Sequence, residues 1–284
     1  MGPPFPVSGK PRHGVSTERH RPLHTAPTMK GMVMLEGRTA IVTGSGQGVG
    51  RGIALALAKA GAKIALAGRT VEKLDAVARE IAAAGGEARA FACNVKDAAS
   101  IEALVADVVA AFGGVDILVN NAQEVALGTI LSVSDTDFEA SFDSGPLAAL
   151  RLMRLCHPHL KASGRGVVIN LTTSATRRWD MAGFGHYGAV KRATESLTRA
   201  AAAEWGEDNI RVLAVAPHAD SPGLKWWIEH NPEEAAAFFK TIPLRRIGRC
   251  EEDIGAAVAA LCGPAFGYVT GAVIPLDGGQ ANFA

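Results

Sequence analysis

Beyond Gly37 the sequence alternates between short, almost continuously apolar runs and longer Ala-rich stretches. A run without polar alternation is what a strand shows when helices cover both faces of its sheet. The repeated order predicts β-α units around a parallel sheet. The predicted strands are Thr39 to Thr43, Lys63 to Ala67, Ala88 to Ala92, Val115 to Val119, Gly166 to Leu171, Arg211 to Val215 and Ala272 to Leu276. Helices are predicted at about Gly50 to Ala60, then through Ala84 up to Gly85-Gly86, Ala98 to Phe112, about Ser134 to Ala162, Gly185 to Trp205 and Glu251 to Cys262. Glycines supply the stop signals. His218 to Thr241 breaks the alternation as a mixed, Trp-bearing insertion, and no internal repeat is evident.

Residues 1 to about 31 follow none of this. Pro and Gly are frequent there, and Lys10, Arg12, Arg19, Arg21 and Lys30 face only Glu18. That composition reads as a disordered leader. It lacks the apolar core of a secretory signal; a transit peptide stays open, opposed by the prolines. From about residue 35 to 284 the chain reads as one domain: 284 residues in all, 48% hydrophobic and 20% charged, with a formal charge of +1. Near-neutral balance argues against nucleic acid or a membrane surface as partner. Charges, Gly or Pro break every apolar run before the roughly 18 residues a membrane span needs. Cys93, Cys156, Cys250 and Cys262 show no C-x-x-C spacing, which favours free thiols in a reducing, cytoplasmic setting, and nothing suggests a metal site.

The first strand runs straight into Thr43-Gly44-Ser45-Gly46-Gln47-Gly48-Val49-Gly50, and a helix follows. Glycines let the backbone turn sharply and approach a pyrophosphate, and the helix start presents unpaired N–H groups at a positive dipole end. Gly44, Ser45, Gln47, Gly48, Val49 and Gly50 are therefore candidates for a phosphate turn. With Asn120-Asn121-Ala122 after the fourth strand and Tyr187-Gly188-Ala189-Val190-Lys191 after the fifth, the chain resembles the short-chain dehydrogenase/reductase family from about residue 35 to 282. The resemblance implies a single-domain, Rossmann-type, doubly wound parallel sheet of about seven strands. It also implies an NAD(P)-dependent oxidoreductase that interconverts a small secondary alcohol and a ketone.

At the end of the second strand, an NAD site wants a carboxylate for the ribose 2′-hydroxyl and an NADP site a basic residue. Gly68-Arg69 stands there, so NADP is expected, with NAD possible and Arg69 the contact. By resemblance Asn94 and Val95 lie beside the adenine, Asn120 and Ala122 support the sheet and cofactor, and Pro217 and Ser221 flank the nicotinamide. Met29, Met32 or Met34 is implied as the effective start.

Tyr187 and Lys191 stand four apart and share a helix face. A cation there favours phenolate and brings a phenol from its reference of about 10 toward working pH, which makes Tyr187 the candidate general acid/base. The resemblance puts a substrate-binding hydroxyl just past the fifth strand, thirteen residues before the tyrosine. Counting back from Tyr187 reaches Ser174, and counting forward from Asn170 reaches Thr173; Ser174 is chosen because distance to the tyrosine governs reach. Ser174, Tyr187 and Lys191 are thus the expected catalytic set.

Three positions depart from the pattern. Gly145, followed by Pro146, stands where the family commonly carries an Asn that holds a proton-relaying water; Gln123 and His218 stand where glycines are usual. A positive φ at 123 would strain Gln. These departures keep a second reading open, a catalytically weakened, regulatory dinucleotide-binding protein of the same fold. Dehydration or epimerisation on the same scaffold is a third. Trp226, Trp227, Phe238 and Phe239 in the substrate loop 218–241 suit a ring-bearing substrate or pack a lid. Trp179, Phe184 and His186 are candidates for the same pocket, and His157 and His159 read as structural. The resemblance implies a homotetramer or homodimer.

Overall fold

Strand-forming runs buried on both faces can only pair side by side under helices, and here five of them do so, flanked by two less buried edge strands. In the computed structural model, which describes residues 34–178 and 182–281, the strands are β1 (Thr39–Thr43), β2 (Lys63–Gly68), β3 (Ala88–Ala92), β4 (Ile117–Asn120), β5 (Val167–Leu171), β6 (Arg211–Pro217) and β7 (Val273–Leu276). All pair in parallel, in the order β3-β2-β1-β4-β5-β6-β7. The helices are α1 (Gly48–Lys59), α2 (Val71–Ala83), α3 (Ala98–Phe112), α4 (Asp135–Phe142), α5 (Ala148–Ser163), α6 (Gly185–Trp205), α7 (Pro222–His230), α8 (Pro232–Thr241) and α9 (Ala256–Cys262). The expected leader and Trp179 lie outside the described residues.

Successive strand residues point to opposite faces, and the core divides accordingly. Val42, Val119 and Ile169 pack with Ile53 and Leu57 of α1 and Val258 of α9. Ile41, Leu118 and Val168 pack with Leu104 of α3 and with Leu152 and Cys156 of α5. Because the strand order reverses between β1 and β4, the connections after these two strands diverge and leave a crevice at their carboxyl ends.

The differences from expectation have local causes. Strand β4 starts after Asp116, whose carboxylate is taken by the Thr39 amide (2.8 Å) and the Arg165 guanidinium (3.0 Å). Strand β6 runs on to Pro217 because β7 pairs with it there. The single long helix expected over 134–162 is broken by a wide, π-type turn, Asp143–Leu147. Pro146 lies inside it; a proline has no N–H to give the ladder, and a widened turn absorbs the loss. The insertion 218–241 folds as α7 and α8, each with proline in its first turn. Ser221 caps α7 by accepting from the Leu224 amide at 3.4 Å.

A second π-type turn, Cys250–Gly255, leads into α9 and lies directly on α1. The approach is possible because both facing residues are glycines. A Cβ on Gly52 would meet the Glu251 amide nitrogen at 2.7 Å and press harder still on the Cys250 carbonyl. In an exposed helix Ala is favoured over Gly by about 1 kcal/mol, but overpacking against backbone costs about 1–3 kcal/mol or more. Gly52→Ala is therefore expected to lower the urea midpoint despite its better helix propensity. A rise in midpoint would show that the two turns can separate freely.

Candidate active site

The glycine turn after β1 is shaped for close approach. Gly44 and Gly48 have φ of 65° and 56°, a region open chiefly to glycine. A Cβ on Gly44 would also lie 2.9 Å from Asn121 Nδ2. Thr43 Oγ1 accepts from the Asn121 and Ala122 amides, both at 3.0 Å, and donates to Val119 O at 3.2 Å. Asn121 Nδ2 donates to Thr43 O (2.8 Å) and Gly44 O (3.2 Å). Gln47 precedes α1 without capping it by its side chain, and the first turn holds no acid. Ser45 is buried with an Oγ that meets no protein partner. An uncapped helix start, positive-φ glycines and an unclaimed hydroxyl fit the pyrophosphate of a dinucleotide.

Beyond the ends of β2 and β3, charges converge on Glu124. Arg69 donates to it at 2.9 Å and Lys96 at 2.8 Å; the Lys96 hydrogen bond foremost holds its carboxyl below the usual range. Lys73 donates to Gln47 Oε1 at 2.8 Å. Asn94 accepts from the Lys96 amide through Oδ1 (3.2 Å), and Val95 packs toward the α3 side of the core. Asn120 is buried and donates to Asn170 Oδ1 at 2.8 Å. Glu124 and Lys96 escaped the sequence reading because neither belongs to a motif.

Tyr187 and Lys191 lie one turn apart on α6, with Lys191 Nζ 5.7 Å from the phenol ring centre and donating to Leu171 O at 2.7 Å. Burial pushes the tyrosine up to about 12, while a hydrogen bond from the Thr173 side chain pulls the other way. Burial alone pulls the lysine down to about 7. Thr173, not Ser174, is therefore the hydroxyl at the tyrosine. Ser174 is buried and its Oγ donates to Asp277 Oδ2 at 2.8 Å and to Ala216 O at 3.3 Å. The two counts thus separate here: the forward count reaches the hydroxyl on the phenol, and the backward count reaches the one on Asp277. Asp277 fixes this corner further by accepting from the Gly279 (2.9 Å) and Ala281 (3.0 Å) amides. Glu195, buried on α6, gathers Thr172, Thr176, Arg177 and Arg192 within 3.1 Å. Neither acid was singled out from sequence.

Thr173, Ser174, Tyr187 and Lys191 open on a cleft of about 900 Å³ that also touches Val49, Pro217 and Ser221. Its wall includes Val125, Leu127, Phe184, Trp226, Trp227 and Phe238, with Arg178 and His218 as polar members. Trp227 meets Phe238 edge-on at 5.9 Å, and His218 meets the same ring at 5.2 Å. Burial foremost, then Arg178, lowers the His218 pKa. His186 turns instead to Phe138 (5.8 Å) on α4. His157 pairs with Asp208 at 2.9 Å. Neither Gln123 nor His218 has a positive φ; among the described residues that are not glycine, Asn209 and Arg245 do. Gln123 is thus unstrained. No cluster of three metal-ligating side chains occurs among the described residues, and no described helix is long and apolar enough to cross a membrane.

Fold and crevice together define a Rossmann-type α/β protein with a tyrosine–lysine pair at the carboxyl edge of its sheet. The chain belongs to the short-chain dehydrogenase/reductase family: the family model described as enoyl-(acyl carrier protein) reductase matches residues 44–281. It is 36% identical over 259 residues to a 12α-hydroxysteroid dehydrogenase of Clostridium sp., covering 88% of this chain and 99% of the relative. Among solved structures, a 7α-hydroxysteroid dehydrogenase complexed with NADH and 7-oxo glycochenodeoxycholic acid aligns with a TM-score of 0.83 at 31% identity, covering 88% and 96% of the two chains. A Beutenbergia cavernae protein assigned as an NAD(P)-dependent gluconate 5-dehydrogenase, with NADP at low occupancy, aligns at 0.81 and 33%, covering 88% and 99%. Relatives of this kind support NAD(P)-dependent alcohol/ketone oxidoreduction.

Lys191 also has a thermodynamic signature. Its folded pKa of about 7 lies below the ordinary 10.5, so between these values the unfolded chain carries a proton that the folded chain lacks. Stability then rises with pH across that window. Lys191→Met is expected to flatten the rise, read as urea midpoints between about pH 7 and 10. Equal slopes for variant and parent would place the lysine in water.

Proposed function

We propose that the protein is an NADP-preferring oxidoreductase that interconverts a secondary alcohol and its ketone, with Tyr187 as general acid/base. The observation that carries the reading is the phenol hydrogen-bonded to Thr173, one helical turn from a buried lysine, at the wall of a large cleft. When bound, the nicotinamide supplies or accepts the hydride. In reduction, Thr173 and Tyr187 donate hydrogen bonds to the carbonyl oxygen, and the Tyr187 proton passes to it. The Lys191 ammonium then stabilises the phenolate left behind. The apolar wall with its aromatic rings suits an alcohol on a ring-bearing skeleton, and the hydroxysteroid dehydrogenases among the relatives agree with that substrate class.

The cofactor preference rests on Arg69 and Lys96, which converge where no carboxylate follows β2. A 2′-phosphate would compete with Glu124 for both. Exposed Ile130, Leu131 and Phe142 before and on α4, with Tyr268 near β7, support assembly into a homodimer or homotetramer. Four free cysteines support a reducing, cytoplasmic setting.

Titration with NADPH and NADH, followed by a screen of ketones and alcohols, tests the reading. Tyr187→Phe is expected to lose at least about a hundredfold in kcat, the lower range for a general acid/base, with cofactor affinity kept. Normal turnover by that variant would remove the assigned role. Arg69→Ala is expected to weaken NADPH binding about tenfold or more, as the loss of one charge-assisted hydrogen bond would, and to spare NADH. Equal losses for both nucleotides would contradict the preference.

A further inference from the structure

Gln123, which bears a carboxamide, and Gly145, which bears no side chain, are two of the departures noted from the sequence. In the fold the two departures meet. A Cβ on Gly145 would lie 2.6 Å from Gln123 Oε1, 2.7 Å from Nε2 and 3.0 Å from Cδ. The Gln123 carboxamide therefore fills the space that a side chain at 145 would take.

Its orientation is set by the backbone. Nε2 donates to Ser141 O at 2.7 Å and to Glu124 O at 3.1 Å. With both N–H bonds used, the amide cannot flip without facing oxygen to oxygen. Oε1 is left buried with no protein donor, and so is Asn120 Oδ1. Gln123, Asn120, Gly145, Leu171, Thr194 and Lys191 line one small cavity of about 10 Å³, close to the volume that admits a single water. Lys191 spends one N–H on Leu171 O and has two more to give.

We propose that Gln123 is a positioning residue for Lys191: with Asn120 it holds one water that accepts a hydrogen bond from the lysine ammonium. The proposal rests on the Tyr187/Lys191 reading above. The water's two protons satisfy the two orphan oxygens, and its lone pair solvates a cation that burial otherwise strips of water. Hydration keeps the lysine charged beside the phenol. Lys191 is the one titratable side chain lining the cavity; Tyr187, on the same helix, is the titratable neighbour that faces it.

The test compares the parent with Gln123→Met, Gly145→Asn and the exchange Gln123→Gly/Gly145→Asn. Gln123→Met keeps the volume and removes the amide. It is expected to lower kcat roughly tenfold, well short of removing a general acid/base. NADPH affinity should hold, and the Lys191 titration, followed by NMR of isotopically labelled lysine in the cofactor-free protein, should move to lower pH. Gly145→Asn alone should melt at lower temperature, because the new side chain collides with the Gln123 amide. The exchange should restore stability, kcat and the lysine titration together, since it returns a carboxamide to the same place from the other side. A Gln123→Met protein with parental kcat and parental lysine titration overturns the proposal, as does a folded exchange variant no better than Gln123→Met. The NMR readout needs no turnover. If Tyr187→Phe kept its activity while Gln123→Met still moved the lysine, the catalytic reading would fall and the hydration site would stand.

Discussion

The site depends on a clasp at the point where β1 and β4 part. Parallel neighbours normally lead into connections on one side of the sheet, but here the two connections leave on opposite sides and a gap must open. Thr43 Oγ1 spans the foot of that gap by accepting from two successive amides of the other strand's loop. Asn121 returns two hydrogen bonds to Thr43 and Gly44. The glycine turn is thereby held against β4, and the start of α1 is aimed across the crevice instead of into solvent. Removing any side chain from this clasp would leave buried amides or carbonyls without partners, which costs about 1–3 kcal/mol each.

The second constraint is electrostatic. Burial disfavours the charged form of every group, so it pulls Lys191 down to about 7 and pushes Tyr187 up to about 12. Separately, each shift disfavours an ion, the phenolate in one case and the ammonium in the other. Taken together, they leave a neutral phenol and a weakly held ammonium proton side by side, and the move of charge onto the phenol is compensated by the cation within the same buried space. Thr173 lowers the phenol pKa, the direction a proton donor needs. A pair exposed to water would have ordinary pKa values and little mutual dependence.

Much of this was legible in the chain. Apolar runs located every strand to within two residues, because a buried parallel strand tolerates little else. The seven-stranded parallel sheet, the tyrosine–lysine pair and the glycine turn followed from local patterns. What escaped were interactions closed by distant residues. Ser174 and Thr173 are adjacent hydroxyls, and only Asp277, more than a hundred positions away, decides that Ser174 is occupied elsewhere. The charge balance at Arg69 likewise depends on Glu124. Spacing left two counts that disagreed over the hydroxyl, and it says nothing of the acid that closes either contact. The π-type turn at Asp143–Leu147, with Pro146 inside it, interrupts what the sequence pattern showed as one long helix.

Departures from a family pattern have opposite meanings depending on whether they meet in space. Taken singly, Gly145 lacks an amide and Gln123 threatens strain, and both weigh toward a weakened protein. Gln123 has no positive φ, and its amide lies against the face of Gly145 that a side chain would fill. Under the proposal above, one loss and one gain then describe a single exchange across the β4 edge. The weight that these two positions lent to the regulatory reading falls accordingly. His218 stands apart from this exchange: it borders the cleft against Phe238, and its lowered pKa favours a neutral ring on the cleft wall.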